Sequence, residues 1–195
     1  MQSCDNRPRF LFRFFVIAVS MSSTSVFPVR ATALRDAKAI SDLYALVARD
    51  LYQSLLGTDQ LPPLGQDKRQ AFWREAIEFA EPQVMAALHG DRIVGFVGFD
   101  RSRDAGSRQT TGEITDIYVH PDFQGLGVGL SLWHAARQGL HDEGCIDVTL
   151  WLQARNKTAL RFFELAGFKR EPGAEREVQI AGHALDELRL QRNLI

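Results

Sequence analysis

Within "DIYVHPDFQGLGVGLSLWHAA", Gly125, Gly127 and Gly129 occupy alternate positions where a helix should begin. Each glycine weakens a helix by about 0.5–1 kcal/mol relative to alanine. Three in five residues therefore point to a backbone with a task beyond turning. The dinucleotide fingerprint G-x-G-x-x-G would need a glycine at Leu130, and no Gly-Lys-Ser/Thr follows to make a P-loop. What remains is an anion site of main-chain N–H groups at a helix N-terminus, where the helix dipole adds positive potential. No Lys or Arg lies between Val119 and Ala136. Main-chain donors must then do most of the holding, which suits a pyrophosphate laid across the helix start.

Other chemistry-bearing residues are less organised. His134 and His141 lie seven apart on one helix and read as solvated surface, without metal spacing. Cys145 precedes a buried-looking strand and has no activating neighbour in sequence, so it reads as core. Arg101, Arg103 and Arg108 crowd a polar stretch and read as a solvated loop.

The elements that must position the glycine loop follow from periodicity and turn residues. "VFPVRATAL" predicts a first strand, and Leu34, Ala37, Ile40, Leu43, Tyr44 and Val47 fall at helical spacing behind it. "GTDQLPPLGQ" is a loop and "DKRQAFWREAIEFA" a second helix. "QVMAALHGDRIVGFVGFD" is a hairpin turning at Gly90-Asp91, and "EITDIYV" a fourth strand. The glycine loop opens a helix to about His141. "IDVTLWL" is a fifth strand, "NKTALRFFELAG" a short helix capped by Gly167, and "FKRE" and "ALDELRLQR" a last strand pair. The predicted order is β-α-α-β-β-β-α-β-α-β-β.

The whole chain has 195 residues, 45% apolar and 24% charged, which suits one soluble domain. Residues 26–195 are read as that domain. Residues 1–25 are read as an N-terminal extension, disordered or a weak leader. Their uninterrupted apolar stretch is Phe14 to Val19, far short of the ~20 residues a spanning helix needs, and Met21 is an alternative start. Lys+Arg is 23 against Asp+Glu 24, a net charge of -1, which argues against broad phosphate neutralisation on a nucleic acid. Two cysteines, Cys4 and Cys145, make no disulfide framework or zinc site and fit a reducing cytoplasm.

Gln124-x-x-Gly127-x-Gly129 resembles the Q/R-x-x-G-x-G/A loop of the GNAT acyltransferase superfamily. "NKTALRFFELAGFK" resembles that family's Asn-x-x-Ala-x-x-Phe-Tyr-x-x-x-Gly-Phe segment, and the element order is similar from about Pro28 to Leu194. The resemblance implies an α/β (α+β) fold: a mixed, mostly antiparallel sheet with a splayed central strand pair and flanking helices. It implies that Gln124, Gly125, Leu126, Gly127, Val128 and Gly129 hold the pyrophosphate of acetyl-CoA. Main-chain groups of Ile117, Tyr118 and Val119, with Asn156, would bind the pantetheine arm, and Val119 N–H would serve the developing oxyanion. Glu113 matches the general base of some members, with Asp116 in reserve. Strand alternation places Glu113, Thr115, Ile117 and Val119 on one face and Asp116 on the other. Phe163 stands where the family often has a tyrosine acid.

The implied function is acetyl transfer from acetyl-CoA to a primary amine, by direct attack in a ternary complex. The acceptor would be a small molecule or peptide meeting a pocket built between Tyr44 and Trp73 and by the last strand pair. The implied partners include no metal, no nucleic acid and no stable membrane insertion, with a homodimer left open. A non-catalytic acyl-CoA-binding or sensing domain, suggested by Phe163, is the alternative. A membrane-tethered interaction protein is a third, suggested only by residues 10–19.

Overall fold

A computed structural model describes residues 27–57, 66–180 and 183–195. The N-terminal extension and most of the loop expected at 57–66 lie outside these. The elements are β1 (Val29–Ala31), α1 (Ala37–Leu56), α2 (Gln66–Phe79), β2 (Gln83–His89), β3 (Arg92–Arg101), β4 (Thr111–Val119), α3 (Val128–Asp142), β5 (Asp147–Gln153), α4 (Lys157–Leu165), β6 (Lys169–Ile180) and β7 (His183–Asn193). Short 3-10 turns stand at Leu34–Asp36 and Pro121–Phe123. This is the expected order of elements.

Two boundaries differ from expectation. β1 shrinks to three residues, because Leu34–Asp36 already turns into α1. β6 extends well past "FKRE" through Pro172-Gly173. The ladder to β7 steps from Arg170↔Leu190 to Glu175↔Leu188, so an irregularity takes up the proline and glycine. β6 is the outermost strand, where a proline's missing N–H costs least.

The sheet order is β1-β2-β3-β4-β5-β7-β6. All neighbours run antiparallel except β4 and β5, which are parallel. That pair shares a ladder only over Thr111↔Asp147, Gly112↔Val148 and Glu113↔Thr149. Beyond it, β4 continues to Val119 and β5 to Gln153 without pairing. The expected splay is therefore present, with its closed end at Glu113 and Thr149.

Each face of the sheet carries its own core. α3 lies close against β3 and β4: a Cβ added to Gly112 would stand 2.7 Å from Leu140, and one added to Gly139 2.6 Å from Phe99. Ile114, Ile117, Val119, Leu132, Val148, Leu150, Leu152, Phe162 and Phe163 belong to the core on that side. On the other face α1 and α2 bring Tyr44 and Trp73 against Phe96 and Tyr118. Phe96 and Tyr118 stack at 5.1 Å and Trp73 meets Phe96 edge-on at 4.9 Å.

Candidate active site

The β3–β4 ladder corrects the expected facing of the two carboxylates. Gly98 pairs with Asp116 but Phe99 pairs with Ile114, so Thr115 bulges out of register. A bulge inserts one residue and reverses the alternation beyond it. Ile114, Ile117 and Val119 consequently all face α3. Glu113, Asp116 and Tyr118 all face the α1–α2 side, so the two carboxylates share a face. Both are buried, at 2% and 3% exposure.

Main-chain parity decides what lines the gap. His120 N–H donates to the Val94 carbonyl at 2.8 Å, so the residue before it turns its N–H away from β3. Val119 and Ile117 thus direct N–H and C=O toward the β5 side, into the opening. Tyr118 directs its main chain into the β3 ladder, and its ring packs edge-on against Tyr44 at 5.2 Å.

The glycine loop follows the end of β4 that lies beyond its ladder with β5. Gln124 is extended and its N–H bonds the Pro121 carbonyl. Gly125 has φ 73° and Gly127 φ 97°, left-handed values that alone require glycine there. Gly129 is not among the left-handed residues and sits inside the first turn of α3, so its lack of a side chain has no conformational reason. Leu126 is exposed, while Val128 anchors the turn in the core at 1% exposure. Gly127 is the N-cap with no capping side chain, and Ser131 N–H already reaches its carbonyl. The first-turn N–H groups of Val128, Gly129 and Leu130 are the ones a helix start leaves without intrahelical partners.

Asn156 begins α4 where β5 ends. Its Oδ1 accepts from Ala159 N–H at 3.0 Å, an ordinary N-cap. Its Nδ2 is buried and has no hydrogen-bond partner among the described residues. Such a group costs about 1–3 kcal/mol until something accepts from it. An amide-bearing ligand in the gap would supply that acceptor. Phe163 is fully buried against Phe162 and Phe168 and carries no hydroxyl.

On the α1 side, the Tyr44 and Tyr52 hydroxyls are hydrogen-bonded to each other. Burial, then the Glu187 charge, pushes the Tyr52 phenol up to about 12 despite that bond. Glu187 is wholly buried and held by Arg176 at 2.7 Å and Gln153 at 3.3 Å. Arg176 also lies 3.9 Å over the Trp151 ring. Sequence reading missed this group, since nothing in "ALDELRLQR" marks one acid as buried. The arginines of the polar stretch are all engaged rather than merely solvated. Arg103 pairs with Asp100 at 2.6 Å, Arg108 with Asp147 at 2.5 Å, and Arg101 reaches the Glu143 carbonyl at 2.6 Å. His134 and His141 are exposed on α3, and Cys145 is buried, its thiol pushed up mainly by burial. Among the described residues, no three His, Cys, Asp or Glu side chains are placed to hold a metal. No described helix is long and apolar enough to cross a membrane.

A mixed sheet opened between two central strands, with a glycine turn leading from the end of the first of them into a helix, is the GNAT acyltransferase architecture. The sequence profile of the Acetyltransferase (GNAT) family matches residues 43–168. The chain belongs to that family. Among curated relatives, a mycothiol acetyltransferase of Kocuria rhizophila is 34% identical over 80 residues, 41% of this chain and 26% of its own length. An uncharacterized N-acetyltransferase of Methanocaldococcus jannaschii is 34% identical over 79 residues, 40% of this chain and 35% of its own. The matched stretch therefore spans only a quarter to a third of those relatives. Among solved structures, an N-acetyltransferase from Staphylococcus aureus Mu50 superposes with TM-score 0.68 at 18% identity, covering 86% of this chain and 98% of that one. A Salmonella typhimurium protein solved with its cofactor acetyl-CoA gives 0.66 at 23% identity, covering 88% and 95%.

Proposed function

We propose that this chain moves an acetyl group from acetyl-CoA to a primary amine of a small molecule or peptide, in a ternary complex without a covalent enzyme intermediate. One observation carries the reading. The gap beyond Glu113 and Thr149 is lined by the outward main chain of Ile117 and Val119, and the unpartnered Nδ2 of Asn156 lies where β5 ends. Those groups suit the amides of a pantetheine arm, and the first turn of α3 suits its pyrophosphate. Acetyl-CoA supplies a thioester-activated acetyl group.

Each residue then has a role. Gly125, Gly127 and Gly129 let the main chain approach the pyrophosphate, with Gln124, Leu126 and Val128 completing the turn. Ile117 and Asn156 orient the arm. Val119 N–H points where the thioester carbonyl gains charge. Glu113 takes a proton from the ammonium so that the amine can attack, and Asp116, on the same buried face, is the reserve base. Tyr118 contributes its ring to the acceptor-side wall. Work in a reducing cytoplasm fits the free, buried Cys145.

The test incubates the full chain with acetyl-CoA and a panel holding an amino sugar, a polyamine, a free amino acid and an N-terminal peptide amine. Free thiol release is followed for each. Amine-dependent release supports the transferase. Acetyl-CoA binding with no release on any amine makes it an acyl-CoA-sensing domain.

A further inference from the structure

The stretch between β3 and β4 has no apolar anchor, yet it is fixed at both ends and in the middle. Ser102 N–H bonds the Thr111 carbonyl at 2.8 Å and closes its base. Asp104 then reaches across the closed end of the split. Its Oδ2 accepts from Trp151 Nε1–H on β5 at 2.8 Å and pairs with Arg189 Nε on β7 at 3.2 Å. Arg189 also donates to Ser107 Oγ at 3.3 Å and holds Glu171 at 3.0 Å. Asp104 is 19% exposed and Arg189 17%, so the pair is shielded from bulk solvent more than a surface ion pair is.

The residue before this anchor touches the candidate base. Arg103 N–H points at Glu113 Oε2 at 3.5 Å, a long contact that acts as an oriented dipole rather than a strong bond. Glu113 lies directly opposite Asp100 in the ladder, and like charges so placed repel. The Arg103 guanidinium takes up Asp100 at 2.6 Å. One residue therefore addresses both carboxylates, with its side chain on one and its N–H on the other. Arg103 can do so only while the neighbouring peptide is held in place.

We propose that Asp104 is a positioning residue: it latches the 102–110 loop onto Trp151 and Arg189 and so holds Arg103 against Glu113. The latch joins the strands on both sides of the split at its closed end, where the β4–β5 ladder is three residue pairs long. This rests on the reading of Glu113 as the base. Asp104 itself touches neither donor nor acceptor.

The test uses the full chain and the panel amine turned over fastest. Asp104→Ala should lower kcat by about 10–100-fold, the scale of a misplaced catalytic group, with KM for acetyl-CoA within twofold of wild type. Asp104→Asn keeps an acceptor for Trp151 and should recover part of the loss. Trp151→Phe keeps a ring beneath Arg176 but removes the donor, and should lower kcat in the same direction if Asp104→Ala does not fold. The deciding measurement is the pair with Glu113→Gln. If Asp104 acts through Glu113, the double variant is no slower than Glu113→Gln alone. Multiplying losses, or a folded Asp104→Ala with wild-type kcat, would overturn the latch while leaving the base intact. A Glu113→Gln variant with wild-type kcat, or a wild-type chain that acetylates no amine, overturns the base reading and the latch with it.

Discussion

At the scale of single residues, burial separates the candidates by what each can still do. Glu113 is 2% exposed beside the closed end of the gap. Glu113→Gln keeps its size and removes the base, so kcat should fall ~10²–10⁴-fold at neutral pH. The loss should shrink as pH rises and the free amine becomes abundant; a pH–rate profile matching wild type would transfer the role to Asp116 or water. Asn156 has two separable tasks. Asn156→Asp preserves the acceptor that caps α4 and deletes the Nδ2 donor. Its melting temperature should hold while acetyl-CoA affinity drops about 5–30-fold, as isothermal titration would show; unchanged affinity would assign Asn156 to capping alone. Phe163 removes the familiar phenol, yet a thiol of Cys type has pKa about 8.5, so unaided thiolate release at pH 7 costs only ~2 kcal/mol. On that arithmetic the proposed transfer does not require a tyrosine there.

Secondary elements make their own demands. The left-handed φ of Gly125 and Gly127 accounts for those two glycines whether or not a ligand binds. Gly129 is the informative one. Gly129→Ala should stabilise α3 by about 0.5–1 kcal/mol in urea titration and at the same time weaken acetyl-CoA binding. A more stable protein with undiminished affinity would remove the α3 start from the donor site. The entry to α1 has a different dependence. Asp36 takes Arg30 through both oxygens, at 2.6 and 3.1 Å, and accepts from Ala33 N–H at 2.8 Å. The Arg30 bond, aided by Ala33 N–H and opposed by burial, holds the Asp36 carboxyl below its ordinary 3.8. A depressed carboxyl stabilises the fold fully above its unfolded pKa and loses that contribution as pH falls through its folded one. Asp36→Asn should therefore cost about 1 kcal/mol at pH 7, discounted because Arg30 is 37% exposed, and the difference from wild type should shrink and vanish as pH falls through the depressed pKa of the folded carboxyl.

Across the whole molecule, two antiparallel ladders meet at three parallel pairs, and a ligand in the opening would bridge them. At a hundredfold excess over its Kd, acetyl-CoA should stabilise the chain by about 2.7 kcal/mol, a melting shift of roughly 5–10 °C. Amide exchange should slow at Ile117 and Val119, while Tyr118, already bonded within the β3 ladder, changes little. Equal slowing of all three would refute the parity argument. Much of this was legible in the sequence. Hydrophobic periodicity marked nearly every element in order, because each must bury one face. The glycine spacing and the Asn156 to Phe168 pattern marked the turn and the cap from which the proposed donor site is built, because helix starts and caps are local. What sequence could not show is whatever depends on register and on long-range pairing. Regular alternation set Glu113 and Asp116 on opposite faces, and the bulge at Thr115 put them on the same one. The proline and glycine in β6 read as a break, yet a strand at the sheet edge tolerates them. Asp104, Trp151, Arg189 and Glu187 carry no local mark at all. They meet only because β5 and β7 bring distant segments side by side, and pairings such as Asp104 with Trp151 across 47 positions, or Gln153 with Glu187 across 34, are settled by the packing of the sheet rather than by any neighbour in the chain.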